Sequence, residues 1–201
     1  MVKEEVFKED IIRAAQKLFQ AFGLKKTTME DIAKSLGKGK STLYYYYESK
    51  EQIFAEVLQK ELEEVFEKTK IAVNAVNTAE EKLKTFAVTR ITVLGNMLNL
   101  YRLVCGDLME QPTCTKNLFS EYAHQEKALI ESILEFGILQ GEFNPVLAQE
   151  MDILTLVIVG SIRGIERELL TENQAVLEHR IGAISNLMVN GLKTKKQATF
   201  Q

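Results

Sequence analysis

The chain has 201 residues, 46% apolar and 26% charged, with 11 Gly, 2 Pro and a formal net charge of −3, a make-up that excludes intrinsic disorder and fits one domain or a small domain fused to a larger one. At this length folding hides roughly 70% of the surface the unfolded chain exposes, so a core needs no disulfide or metal staple; Cys105 and Cys114 are the only cysteines, and their wide spacing is that of reduced thiols in a cytoplasmic protein. No apolar run approaches the ~20 residues of a membrane span, since Thr155 interrupts the longest, from Ile153 to Val159, and the N-terminus lacks a secretory apolar stretch, so no membrane partner is expected.

Strand signals are scarce and helical periodicity runs throughout, which predicts an all-α fold. The first helix is expected from Glu4 to Phe22, with Ile11, Ala14, Ala15, Leu18, Phe19 and Phe22 at three- and four-residue spacing and Gly23 as its left-handed cap. Thr28 is the predicted N-cap of a short second helix, with Asp31 completing a variant capping box; Gly37 ends it. A third helix of about two turns is expected over Lys40 to Tyr46, and Ser49, with Gln52 three residues on, starts a long fourth helix. Further helices are expected at about 79–95, 97–109, 115–140, 145–170 and 173–193, with Asn144-Pro145 as a start signal. The domain division this implies is 1–50 for a small head and 51–201 for the body.

Charge divides along the same line. Residues 1–50 carry ten Lys and Arg against seven Asp and Glu, net +3, leaving the rest of the chain at −6. A basic head on an acidic body directs attention to nucleic acid.

Two short helices joined by a Gly-containing turn describe a helix-turn-helix, with Ala33 and Gly37 permitting a close crossing. The second helix of such a pair projects into a DNA major groove. Lys40, Ser41, Thr42, Tyr44, Tyr45 and Tyr46 offer it positive charge, hydroxyl donors and flat rings, while the helix N-termini at Thr28 and Lys50 attract phosphate. Four consecutive tyrosines span about 300° of a helix, so they cannot all face a core. Leu43 and Tyr47 are expected inside, with Tyr44, Tyr45 and Tyr46 available to DNA. The alternative is a helical protein-protein interaction module whose tyrosine helix binds protein.

The stretch from Ile12 to Val57, with AAQKLF, the Gly23 turn, TTMEDIA, Gly37, TLYYYY and SKEQIF in order and without gaps, resembles the N-terminal domain of TetR-type (TetR/AcrR) bacterial transcriptional regulators. The resemblance implies a three-helix DNA-binding domain joined by a long helix to a C-terminal helical bundle that dimerises and binds ligand. It places Thr28, Tyr44, Tyr46 and Lys50 where such proteins grip phosphates and Lys40, Ser41 and Tyr45 where they read bases. Three positions depart from the family. Lys38 stands where an apolar residue, commonly Val, is usual, and either loosens the turn or swings out to a phosphate; Gly39 replaces a common Ser, and Ser41 a frequent Gly.

The C-terminal body resembles the family in layout only, through GILQGEFNP and the apolar helix ending GSIRGIERELL. That helix is apolar nearly all round between Val146 and Leu170, Gly160 and Gly164 permit close helix approach, and Ile181, Ile184, Leu187 and Met188 give the last helix an apolar stripe. A homodimer through the last two helices, on double-stranded, partly palindromic operator DNA, is therefore expected. Phe86, Met97, Tyr101, Cys105, Phe119 and Tyr122 have the character of a cavity lining for an unidentified, mostly apolar effector that releases a repressor from DNA, whereas His124 is read as a surface residue. No nucleophile-base pair, metal cluster or phosphate loop is legible, and carboxylates such as Glu61, Glu63 and Glu64 are read as a solvated helix face, so neither an enzyme nor a cofactor is expected.

Overall fold

The computed structural model describes residues 2–97, 116–169 and 174–193. Among them the fold is all-α: α1 (Val2–Lys26), α2 (Met29–Ser35), α3 (Lys40–Tyr46), α4 (Lys50–Asn74), α5 (Ala79–Gly95), α6 (Lys116–Leu139), a 3-10 helix (Pro145–Glu150), α7 (Met151–Leu169) and α8 (Gln174–Leu192). The expected helix at 97–109 lies almost wholly outside the described residues. The chain forms two compact units, residues 1–64 with 97–121, and 65–96 with 122–201.

In the first unit Ile11, Ile12, Ala15 and Phe19 of α1 meet Met29, Ile32 and Ala33 of α2, Leu43 of α3, and Ile53, Phe54, Val57 and Leu58 of α4, all buried. Phe19 and Phe54 cross edge to face at 5.1 Å, a geometry the ring quadrupoles favour. Glu61 corrects an expectation: it is 1% exposed and accepts from Gln16 Nε2 at 3.0 Å, so it belongs to the interior and not to a solvated face.

Helix ends follow their caps. Gly23 leaves helical geometry as expected, with a φ of 79° and a ψ of 163°, a backbone state open essentially to glycine alone; what the sequence reading did not foresee is the further helical turn that carries α1 on to Lys26. Thr28 caps α2 as predicted, its hydroxyl accepting from Asp31 N while the Asp31 carboxylate accepts from Thr28 N. At the other end Lys38 N donates to Ala33 O (2.9 Å) and Gly37 N to Lys34 O (3.0 Å), with Gly37 at a φ of 65°, a Schellman closure. The box at Ser49 is displaced by one residue, because Gln52 accepts from Glu48 N and not from Ser49 N.

In the second unit Leu83, Phe86 and Ile91 of α5 pack with Ile130, Ile133 and Leu134 of α6, Ile158 and Ile162 of α7, and Ile181, Val189 and Leu192 of α8. Asn144 caps the next element by accepting from Val146 N, but that element runs as a 3-10 helix to Glu150 before α-helix begins at Met151, correcting the single helix expected from 145. The segment Pro145–Gly164 is, by length and composition, apolar enough to cross a membrane, with a mean hydropathy of 1.5. This overturns the reading that no segment approaches a span, because Thr155 and Gly160 break the run while lowering its hydropathy little. Ile153, Leu156 and Val157 on it are exposed.

Candidate nucleic-acid interface

The groove-facing candidate, α3, is anchored from beneath. Leu43 is fully buried and Tyr47, at its C-cap, is 2% exposed, whereas Tyr45 is 76% exposed. The Tyr47 hydroxyl donates to Glu56 Oε2 at 2.7 Å, tying the end of α3 to α4. Burial first, and then the Glu56 carboxylate, push the Tyr47 phenol well above its ordinary range, so it stays a hydrogen-bond donor.

Lys38, Lys40, Ser41 and Tyr44 are exposed, while Thr42 and Tyr46 are half-buried. Lys40 Nζ stands 5.5 Å over the Tyr44 ring, which places a charge and an exposed face side by side. Thr28 is exposed at the α2 N-terminus. Its two hydrogen bonds hold the Asp31 carboxyl below the usual carboxylate range, and a Glu30–Lys34 pair at 2.8 Å follows on the same helix.

Lys50 is placed otherwise than expected. Its ammonium donates to Leu24 O (2.8 Å), Thr27 O (2.9 Å) and Lys25 O (3.3 Å). Three donors thus meet three carbonyls at the end of α1 and the start of the turn into α2, where the helix leaves acceptors without partners. An ammonium has no fourth donor for a phosphate.

Lys38 is exposed, and its ammonium lies 6.0 Å over the ring of Phe7; Phe7 packs on Tyr46 at 5.2 Å. Sequence reasoning passed over Phe7, although it precedes the buried Ile11 by one turn of the same face.

In the second unit the structure places Phe86 in the core at 1% exposure and Tyr122 at 7%. Met97, buried, and Phe119, half-buried, fall in the first unit; Tyr101 and Cys105 lie outside the described residues. His124 is exposed. A polar cluster that the sequence reading missed lies among these helices. Glu126, 1% exposed, accepts from Arg90 Nε and from Arg163 Nη2, the latter at 2.5 Å, and the Arg90 guanidinium covers the Tyr122 ring at 5.9 Å. The signal was present: Glu126 stands between Tyr122 and Ile130, and Arg90 between Phe86 and Leu94, each four residues from an apolar neighbour on a buried stripe.

Comparison with known proteins gives this geometry its setting. Residues 11–57 match the family model "Bacterial regulatory proteins, tetR family". The chain is 27% identical over 144 residues to the HTH-type transcriptional repressor KstR2 of Mycolicibacterium smegmatis, covering 70% of this chain and 69% of that protein. Among solved structures it is similar to a transcriptional regulator from Cytophaga hutchinsonii, with a TM-score of 0.72 and 27% identity over 92% of this chain and 98% of that one. It also shares the fold of FadR from Bacillus subtilis, solved in complex with stearoyl-CoA, with a TM-score of 0.73 and 21% identity over 92% and 98% of the two chains.

Proposed function

This chain belongs to the TetR family of bacterial DNA-binding transcriptional regulators, and on that premise we propose that it is a ligand-responsive repressor. It binds a partly palindromic operator as a homodimer and leaves it when a mostly apolar small molecule enters the body. Residues 1–50 form the DNA-binding domain and 51–201 the dimerisation and ligand-binding domain. The observation that carries the reading is the division of α3 into a buried root, Leu43 and Tyr47, and an exposed face of Lys40, Ser41, Tyr44 and Tyr45. Thr42 and Tyr46 flank that face, and Thr28 and Lys38 extend it toward the phosphates. Base edges are reached by Lys40, Ser41 and Tyr45, phosphates by Thr28 and Tyr44.

The dimer follows from what α7 leaves uncovered. Ile153, Leu156 and Val157 are 59%, 71% and 54% exposed, and a Cβ added at Gly160 or Gly164 would meet no atom within 4 Å. These residues, spaced three, four and seven apart, form one apolar stripe with small residues at its end, and Leu187 of α8 is 75% exposed. A second copy of α7 and α8 supplies matching cover, and the isologous pairing makes two reading helices meet a palindrome.

The apolar part of the effector is the acyl chain of a long-chain acyl-CoA thioester, as in FadR, with Phe86 and Tyr122 of the second unit in its proposed lining. Release requires that the effector bind the DNA-free arrangement more tightly; a coupling of about 1 to 3 kcal/mol corresponds to roughly 5- to 150-fold weaker operator binding. Fluorescence anisotropy with a labelled duplex selected by the protein, titrated with stearoyl-CoA, is expected to show that loss. Unchanged affinity with acyl chains from short to long would remove the acyl-thioester assignment.

A further inference from the structure

The family match begins at residue 11, one helical turn after Phe7, and nothing in the helix-turn-helix pattern gives Phe7 a task. Yet Phe7 meets the last turn of the reading helix and the turn that precedes it. Its ring centroid lies 5.2 Å from that of Tyr46, tilted by 59°, in the last turn of α3. The Lys38 ammonium, two residues before α3 begins, stands 6.0 Å over the same ring. Tyr46 in turn meets Tyr45 edge on at 5.0 Å, so a relay of three rings runs from α1 to Tyr45.

Two observations separate these contacts from incidental packing. Lys38 sits at the second position past the α2 cap, where an apolar side chain ordinarily folds back on the helix it closes. Here its backbone closes the cap on Ala33 while the exposed side chain reaches Phe7 instead. Phe7 itself is held by position, being four residues before the fully buried Ile11 on the same face of α1. An aromatic side chain has only two torsions, so a ring fixed at its base orients its neighbours at little entropic cost.

We propose that Phe7 is a specificity-determining positioning residue of the DNA interface, its ring holding the Tyr46–Tyr45 pair in the register in which Tyr45 meets the groove. General attraction to DNA comes from charge and phosphate contacts. Phe7 carries no charge, so its loss relaxes operator preference and leaves the salt dependence of binding unchanged. The inference rests on the reading of α3 given above.

The test uses the full chain in competition binding, with a duplex recovered by selection from a random-sequence pool and a scrambled duplex of equal length. Phe7→Leu keeps the apolar bulk and removes the ring, Phe7→Tyr keeps the ring, and Phe7→Met replaces the Leu variant if melting shows that one unfolded. The ring-less variant is expected to lose about three- to tenfold in affinity for the selected duplex and less than about twofold for the scrambled one, with Phe7→Tyr restoring the ratio. A folded ring-less variant that keeps the wild-type ratio, or loses both affinities alike, overturns the proposal. Tyr45→Ala tells the two levels apart. If it leaves the ratio intact, the assignment of the α3 tyrosines to DNA falls, and Phe7 with it; if it lowers the ratio while Phe7→Leu does not, only the role of Phe7 falls.

Discussion

Replacing Lys50 by Met decides between two ways in which this side chain could serve DNA binding. The substitution keeps the apolar stem and deletes the ammonium, and with it the bonds to Leu24 O, Thr27 O and Lys25 O at 2.8, 2.9 and 3.3 Å. Hydrogen bonds from a charged donor contribute about 1.5 to 3 kcal/mol each when well formed and shielded. The third bond is long and exposed, and the carbonyls left behind can take up water, so a net loss of about 2 kcal/mol is the reasonable sum. For a chain of this length that lowers the melting temperature by about 4 to 8 °C. A direct phosphate contact predicts something else. Each neutralised phosphate adds about 0.9 to the slope of log affinity against log salt, so losing one per subunit flattens the slope of a dimer by about 1.8. The structure predicts the melting shift with a slope changed by less than about 0.5. The assay pairs a thermal melt with duplex binding across a range of salt concentrations. An unshifted melt with a flattened slope would refute the carbonyl clamp and restore Lys50 to the phosphate backbone.

Three further outcomes are expected. Glu126→Ala removes the carboxylate that Arg90 and Arg163 share in the second unit's interior and should cost about 3 kcal/mol, read as a fall in melting temperature or denaturant midpoint; a change within error would mean that water already reaches the cluster. Because the folded Tyr47 phenol titrates above its unfolded value, the stability it contributes is complete below about pH 10 and declines as pH rises beyond it, when the unfolded chain loses the proton first. Tyr47→Phe should therefore show a shallower alkaline loss of stability than the wild type, and identical slopes would contradict the shift. Leu156→Arg, on the exposed stripe of α7, should convert the proposed dimer to monomer in light scattering at micromolar concentration with its helicity intact by circular dichroism; a wild-type chain that is itself monomeric, or an unchanged mass, would refute the interface.

The elements that local rules govern were legible in the sequence. Thr28 and Asp31 specify their cap whatever surrounds them, α3 runs over Lys40–Tyr46 as its flanking residues dictate, and α5 occupies 79–95 as its periodicity requires. Periodicity also places Leu43 and Tyr47 inward. What the sequence concealed depends on partners far along the chain. Glu61 reads as one of a run of acids on α4 until Gln16, 45 residues away, is seen to bond it. Lys50 reads as a phosphate ligand until the carbonyls of residues 24–27 are placed beneath it. Gly23 signals the break in α1 correctly, but the further turn after it, held by the bonds from Thr27 back to Gly23 O, carries no signal of its own in the sequence. The ion cluster of the second unit was overlooked for a different reason: a charge on an apolar stripe looks like an error in the pattern until its counter-charge on another helix is known.

The loop after α6 has implications for the evolution and engineering of this chain. Gly137, in the last turn of α6, lies against the ring of Phe143, which a Cβ there would approach to 2.2 Å, and its carbonyl accepts from both Glu142 N and Phe143 N. The Glu142 carboxylate receives the first amides of α5, from Ala79 and Glu80. Asn144 N donates to Leu192 O while its side chain caps the following 3-10 helix. Three adjacent residues are thus each committed to a different neighbour, and Gly141 supplies the positive φ of 72° that lets the chain reverse between them. Surface loops are ordinarily where homologues gain and lose residues and where tags or inserted domains are accepted. Here a one-residue insertion would move all three out of step, withdrawing the cap of α5, the plug at Gly137 and the tie to α8 together. Among related chains the length from Gly137 to Pro145 should therefore vary less than its sequence, and an inserted reporter belongs in some other loop.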